Sequence, residues 1–260
     1  MTEPQLSMRG VNKSFGAVHV LHDVDFDVYA GEVTALVGDN GAGKSTLIKC
    51  IAGINQIDTG EIRFEGRVVH IHGPSDAAAL GIEIVYQDLA LADNLDIVQN
   101  MFLGREEKGV LPITLDEATM ERKARSALAS LSVRTIKSVR QRVASLSGGQ
   151  RQTVAIAKAV LWESKLVVLD EPTAALGVSQ THQVLELVRR LADSGVGVVL
   201  ISHNMNDVMR VADRVVALYL GRVAAEVKAK DTSTSQIVEL ITSGRSGDIG
   251  LVPAAVEAGM

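Results

Sequence analysis

A glycine-rich stretch ending in lysine and serine is the first part of the chain whose residue types could do chemistry. Residues 38–45 read GDNGAGKS and match the pattern G-x-x-x-x-G-K-[ST] in full. Glycines at these positions let the backbone curl so that successive N–H groups point at phosphate oxygens, and a following helix adds its positive N-terminal end. Lys44 would reach the β and γ phosphates, and the Ser45 hydroxyl would bind Mg²⁺. We therefore expect ATP to contact Gly38, Asp39, Asn40, Gly41, Ala42, Gly43, Lys44, Ser45 and Thr46.

Two carboxylates follow an apolar, strand-like segment later in the chain. The segment LVVLDE ends at Asp170 and Glu171, and ligands of open α/β sheets lie at the carboxyl ends of the strands. Asp170 would hold Mg²⁺ through its water shell, and Glu171 would polarise the attacking water. His203 follows a second core strand, VGVVLIS, and would contact the γ-phosphate. Each residue alone is also explained by an acidic turn or a surface histidine, but beside a phosphate loop they favour a hydrolytic site.

A second glycine motif, LSGGQRQ, occupies residues 146–152 and precedes a helical stretch. Ser147, Gly148 and Gly149 would lie at the N-terminus of that helix, which predicts a second anion-binding site. The structural alternative is that Ser147 only caps the helix. A cap does not need two glycines after it, so the motif favours phosphate recognition.

The rest of the chain must supply the elements that position these residues. Segments such as EIRFEGRVV near the N-terminus mix β-branched with polar residues and predict a strand-rich lobe. Residues 88–158 are helical in texture, with Asp116 as the N-cap of one helix. Strands and helices then alternate, which indicates a mainly parallel sheet covered on both faces. The fold class is therefore α/β.

Composition limits the classes of protein to which the chain can belong. Its 260 residues suit one large α/β domain or a domain with an inserted lobe. No apolar run approaches the roughly 18 residues that span a bilayer, and Cys50 as the only cysteine excludes an internal disulfide. The net charge of -5 argues against a nucleic-acid partner. We expect a soluble chain in a reducing cytoplasm.

The phosphate loop, LSGGQ, LVVLDE and the strand-end histidine, in this order, resemble the ATP-binding cassette (ABC) family over nearly the whole chain. The resemblance implies a P-loop NTPase (RecA-like) core with an N-terminal antiparallel β lobe and an inserted helical subdomain. It implies that Gln87 joins the two lobes and contacts both Mg²⁺ and a membrane partner. It also implies that Phe15 stacks on adenine, where the family more often has tyrosine.

The same resemblance implies a head-to-tail homodimer in the ATP state, because each chain has one phosphate loop and one LSGGQ. The motif of one chain would close on the ATP held by Lys44 of the other chain. The residues that would do so are Ser147, Gly148, Gly149 and Gln150. Gly177 stands where a loop of the family usually ends in aspartate, and for this reason Gly177 is not among the expected catalytic residues.

Within the ABC family the chain looks like the ATPase of a monosaccharide importer. The segment after Gln87, including NMFLGRE, resembles ATPases for ribose, xylose and fructose, although Gln99 replaces a usual glutamate. Chromosome-type members of the family carry a long coiled coil, translation factors carry two cassettes in one chain, and exporters commonly carry fused membrane helices. The sequence of residues 1–260 has none of these features. The alternative is a soluble ABC ATPase that acts on an assembly scaffold, as in iron–sulfur cluster biogenesis.

The importer interpretation implies partners and a location. The partners would be integral-membrane permease subunits and, indirectly, a secreted sugar-binding protein, with no nucleic acid. The permease would hold the chain at the cytoplasmic side of the plasma membrane. We expect one ABC ATPase domain over residues 1–243, with the helical subdomain at about 88–158. Residues 244–260 are rich in glycine and alanine without periodicity and predict a flexible tail.

Overall fold

The structure is a computed structural model that describes residues 3–109, 113–133 and 135–251. Its strands are β1 Leu6–Phe15, β2 Val18–Val28, β3 Val33–Gly38, β4 Thr59–Phe64, β5 Arg67–Val68, β6 Ile82–Val85, β7 Leu166–Asp170, β8 Gly197–Ile201, β9 Arg214–Tyr219, β10 Arg222–Lys228, β11 Arg245–Ser246 and β12 Ile249–Gly250. Its α-helices are α1 Lys44–Ile51, α2 Pro74–Ala79, α3 Ile97–Phe102, α4 Glu117–Ser130, α5 Gly148–Leu161, α6 Val178–Asp193, α7 Met205–Val211 and α8 Thr234–Ser243.

A six-stranded sheet with the order β10-β9-β3-β8-β7-β6 forms the centre of the molecule. Five of its strands, β6, β7, β8, β3 and β9, run parallel, and β10 joins β9 in the antiparallel sense. The carboxyl ends of β3, β8, β7 and β6 therefore lie next to one another at one edge. This is the mainly parallel sheet that the alternation of strands and helices predicts.

Both faces of this sheet are covered, which explains why its strands are apolar throughout. Along β7, Leu166 and Val168 pack with the N-terminal strands and α1, whereas Val167 and Leu169 pack with α3, α5 and α6. Neighbouring side chains in a strand point to opposite faces. A strand with two buried faces must therefore be a continuous apolar run.

The N-terminal strands form a separate antiparallel sheet with the order β2-β1-β4-β5. A hairpin joins β1 to β2, and Phe15 pairs with Val18 across it. The inner residues of these strands, such as Met8 and Phe26, are buried against α1. The predicted antiparallel β lobe is confirmed.

Helices α3, α4 and the first part of α5 lie together between β6 and β7 in the chain, in the region predicted as a helical subdomain. Asp96 caps α3 in a capping box with Gln99, and Asp116 caps α4 by accepting a hydrogen bond from the backbone N–H of Thr119. Met120 and Ala124 of α4 are buried in the core that this region shares with the central sheet. Asp116 as N-cap is the residue that the sequence indicates.

The structure departs from the predicted flexible tail over residues 245–250. There β11 and β12 form a hairpin, and the buried Ser246 hydroxyl donates a hydrogen bond to Glu239 of α8 at 2.5 Å. Gly244 ends α8 in the left-handed conformation (φ 73°), which turns the chain back onto the helix. Strands of two residues are too short to show a hydrophobic periodicity in the sequence, so the sequence did not predict this hairpin. Residues 252–260 lie outside the described part of the chain.

In the described ranges, no helix combines the length and the apolar character that crossing a bilayer requires.

Candidate nucleotide-binding and catalytic site

The phosphate loop connects the buried strand β3 to α1, as the sequence predicts. Gly41 has φ 84° and Gly43 has φ 104°, so both occupy the left-handed region that favours glycine. A Cβ atom on Gly43 would lie only 2.8 Å from Leu21 Cδ2 of β2. The loop can therefore approach β2 this closely only with glycine at that position.

Lys44 begins α1, and its side chain is held by the loop itself. Its Nζ donates hydrogen bonds to the carbonyl oxygens of Gly38 at 2.7 Å and Asp39 at 2.9 Å. Only 8% of the residue is exposed, and this burial lowers the pKa of the ammonium, while the carboxylates of Glu171, Asp39 and Asp170 oppose the shift. Lys44 thus places a desolvated cation inside the loop.

The two carboxylates follow β7 at the same edge of the sheet. Asp170 pairs with Ile201 of β8, and burial raises the pKa of its carboxyl, against the pull of Lys44 and His203. Glu171 has φ 50°, a left-handed conformation that costs a non-glycine residue about 1–3 kcal/mol. Its N–H is anchored on the Ile201 carbonyl at 3.0 Å. The extended strand β7 thus ends at Asp170, directly before this left-handed residue.

Glu171 and His203 face each other across the ends of β7 and β8. The Nε2 atom of His203 lies 3.3 Å from Oε1 of Glu171, and the backbone N–H of His203 donates to Oε2 at 3.5 Å. Burial raises the pKa of the Glu171 carboxyl, and His203 partly offsets this. Despite the short distance, Oε1 is a buried acceptor without a hydrogen-bond partner among the described residues. Its donor must come from solvent or substrate.

One cleft of about 410 Å³ collects most of the residues that the sequence singles out. The ends of four adjacent strands contribute to it. Its lining consists of Val20, Asn40, Gly41, Gly43, Lys44, Ser45, Thr46, Gln87, Asp170, Glu171, Ile201 and His203. Sequence reasoning missed Val20 and Ile201, because an apolar residue in a strand carries no chemical signal.

Several predicted residues do not line this cleft. Gly38 and Asp39 act through their carbonyl oxygens on Lys44, and Ala42 is a buried residue of the loop. Phe15 lies at the end of β1 with 47% of its surface exposed, and the ammonium of Lys13 is 5.4 Å from its ring centre. An exposed aromatic ring of this kind has a face available for stacking.

The LSGGQ residues also lie away from the cleft. Ser147 caps α5, since its hydroxyl accepts from the Gln150 N–H at 3.4 Å and its own N–H donates to the Gln150 side chain at 2.9 Å. A Cβ atom on Gly149 would come within 3.0 Å of Gln180 of α6. The serine is thus a cap, and the second glycine allows close packing, while none of the residues 146–152 lines the cleft around Lys44.

Comparisons with known proteins agree with this arrangement. The family model "ABC transporter" matches residues 21–174. The fructose import ATP-binding protein FrcA of Rhizobium meliloti is 47% identical over 248 residues, which cover 94% of this chain and 95% of that protein. The xylose/arabinose import ATP-binding protein XylG of Sulfolobus acidocaldarius is 46% identical over 246 residues, with 95% and 97% covered.

Solved structures give the same result at the level of the fold. A nucleotide-free ATP-binding cassette from an ABC transporter superimposes with a TM-score of 0.80 and 25% sequence identity, and the match covers 99% of each chain. The P-loop NTPase fold and the family predicted from the four motifs are therefore confirmed. On this combined evidence of motifs, fold and relatives, the chain belongs to the ABC transporter family.

Proposed function

We propose that the protein is the ATP-hydrolysing, energy-coupling subunit of an importer for a monosaccharide such as fructose, ribose or xylose. Family membership supports ATP hydrolysis, and the relatives that match nearly the whole chain are import proteins for fructose and for xylose/arabinose. These relatives give no support to the alternative of an ATPase acting on an iron–sulfur assembly scaffold. Their lengths also match that of a single cassette.

The observation that carries the ATP-hydrolysing part of the proposal is the meeting of one buried cation and two partly buried carboxylates in a single cleft. Lys44 comes from the phosphate loop, whereas Asp170 and Glu171 come from the end of β7. Phosphate oxygens would take over the hydrogen bonds of Lys44 from the loop carbonyls. The N–H groups of residues 39–46 would complete the cradle.

Oxygen donors in the same cleft fit Mg²⁺, which prefers hydroxyl, carboxylate and amide oxygens together with phosphate. Ser45, Gln87 and Asp170 supply one donor of each kind. Bound there, Mg²⁺ would neutralise charge on the β and γ phosphates during transfer. The described residues contain no cluster of three or more His, Cys, Asp or Glu side chains suited to a metal. Phosphate oxygens and water would complete the ligand shell.

Glu171 is placed to orient and polarise the attacking water. Its buried Oε1 has no hydrogen-bond donor among the residues that the structure describes, so a water that donates to it would satisfy the carboxylate and point its own oxygen into the cleft. His203 lines the same cleft and touches this carboxylate. It would contact the γ-phosphate from the other side. Phe15 would stack on the adenine at the far end of the nucleotide.

A second copy of the chain would complete the site. Because the LSGGQ residues lie away from the Lys44 cleft of their own chain, their anion-binding helix end is free to serve another ATP. In a head-to-tail dimer the residues that would close on the nucleotide of the partner are Ser147, Gly148, Gly149 and Gln150. ATP binding would close the dimer, and hydrolysis would reopen it.

Transport would require further proteins. Permease subunits in the membrane would bind the region after Gln87 and hold the chain peripherally at the cytoplasmic face. A secreted sugar-binding protein would deliver the solute to the permease. The negative net charge of -5 argues against a nucleic-acid partner, because nucleic acid binds to basic surfaces.

The test combines hydrolysis with transport. Lys44→Ala should abolish ATP hydrolysis, while Lys230→Ala, which removes an exposed cation, should leave it unchanged. Deleting the gene should impair uptake of one pentose or hexose. The wild-type gene should restore this uptake, and the Lys44→Ala gene should not. Unchanged uptake of all monosaccharides, with no permease co-purifying, would overturn the importer proposal. Hydrolysis within twofold of wild type in Lys44→Ala would overturn the assigned site.

A further inference from the structure

Glu171 and His203 belong to two chain segments that share few side-chain hydrogen bonds among the described residues. One segment runs from Glu171 to Gly177 and the other from Ser202 to Asp207. The Glu171 N–H donates to Ile201, just before the second segment, and the Glu171 carboxylate contacts both the ring and the backbone N–H of His203. Groups that must react or move with a substrate are poor anchors for their own position. An additional tie is needed to hold the geometry.

The hydroxyl of Thr173 supplies such a tie. Its Oγ1 donates a hydrogen bond to Oδ2 of Asp207, in the first turn of α7, at 2.8 Å. Within the described residues, this is the only side-chain hydrogen bond between the two segments that involves neither Glu171 nor His203. Thr173 lies two residues after Glu171, and Asp207 lies four residues after His203.

This hydrogen bond joins a half-buried hydroxyl to a buried carboxylate. Asp207 is only 7% exposed, and it forms no ion pair within the described part of the chain. A buried carboxylate without a cation depends on its hydrogen bonds, because losing one leaves the charge desolvated. The position of Thr173 is therefore strongly coupled to that of α7.

We propose that Thr173 and Asp207 are a positioning pair that sets the distance between Glu171 and His203. The inference rests on the proposed ATPase function and deepens it. Glu171 has a strained backbone (φ 50°), and a strained conformation persists only where the surrounding structure holds it. The Thr173–Asp207 hydrogen bond holds that turn against α7, which begins just after His203. Neither residue of the pair lines the cleft, so the pair acts through its neighbours.

The test removes the tie without leaving a buried orphan group. In the double variant Thr173→Val/Asp207→Leu both partners become apolar groups of similar shape, which is close to neutral for stability. We expect the kcat for ATP hydrolysis to fall by about tenfold or more, because displacing a reacting group by 1 Å costs up to about 100-fold. The KM for ATP and its affinity in calorimetry should change less than twofold.

Matched variants separate positioning from general damage. Thr173→Ser and Asp207→Asn keep a hydroxyl donor and an oxygen acceptor and should retain most of kcat. Thr242→Val, which deletes an exposed hydroxyl on α8, should have no effect. Two results would overturn the proposed role of Thr173 and Asp207 and leave the proposed ATPase function standing. One is a kcat of the double variant within twofold of wild type, and the other is a loss of kcat in Thr173→Ser as large as in the double variant. Wild-type protein without ATP hydrolysis would overturn the proposed function as well.

Discussion

Gly177→Asp should stabilise the protein, because Gly177 is the N-cap residue of the 16-residue helix α6 and has no side chain to act as a cap. Its φ of -72° and ψ of 160° are those of an ordinary N-cap residue. A Cβ atom there would meet nothing within 4 Å. An aspartate can therefore accept hydrogen bonds from the free N–H groups of the first turn without displacing a neighbour.

The magnitude follows from three contributions. Aspartate is better than glycine as N-cap by a few tenths of a kcal/mol. Removing a glycine from the unfolded chain adds about 0.4–1 kcal/mol. A negative charge near the N-terminus of a helix adds about 0.3–1 kcal/mol at low salt, and the first turn of α6 carries no acidic residue at present. The sum, about 1–2 kcal/mol, corresponds to a rise in Tm of roughly 2–4 °C per kcal/mol.

Differential scanning calorimetry at pH 7 and low salt measures this rise, with Gly177→Ala as the matched control. Alanine gains the same entropy contribution but is a poor N-cap, so its Tm should stay close to that of wild type. The helix N-terminus lowers the pKa of a capping carboxyl. The part of the gain that depends on the ionised carboxylate is therefore present above the unfolded pKa of about 3.9 and is lost as the pH falls through the lower folded pKa, while the entropy contribution remains. A Tm for Gly177→Asp no higher than that for Gly177→Ala would refute this reasoning.

Three further predictions concern the site and its surroundings. Glu171→Gln should bind ATP as wild type does while hydrolysis falls steeply, since an amide cannot polarise the attacking water. ATP should also drive dimerisation of this variant, which size-exclusion chromatography would show. Wild-type turnover in the variant would remove Glu171 from this role. Mixing Lys44→Ala chains with Ser147→Arg chains should restore part of the ATPase activity. In the heterodimer, one site combines an intact Lys44 with an intact Ser147 from the other chain. Absence of both recovery and an ATP-dependent dimer would mean that each site lies within one chain. Burial raises the pKa of the Cys50 thiol to about 11, so the folded protein should resist iodoacetamide at pH 8 and react once unfolded, as mass spectrometry would show; rapid alkylation of the folded protein would contradict this.

Local patterns in the chain were sufficient to predict much of the site. Turn and strand geometry depend on neighbouring residues, so GDNGAGKS specified a phosphate loop, and LVVLDE a buried strand delivering two carboxylates. Helix starts were readable for the same reason, and Asp116 caps α4 as expected. The roles of these residues in catalysis stay predictions until the variants above are measured.

Only the packed structure decided which distant segments meet and in what geometry. No local pattern shows that Glu171 takes a left-handed backbone or that Thr173 is hydrogen-bonded to Asp207, 34 residues away. Nor does any pattern show that Oε1 of Glu171 is buried with no donor in the described part of the chain. The hairpin at 245–250 was likewise missed, because its two short strands are stabilised by α8 and not by any periodicity of their own. Hydrophobic period and turn chemistry act over a few residues. Strain, burial and long-range hydrogen bonds exist only once the sheet has brought the carboxyl ends of its strands together.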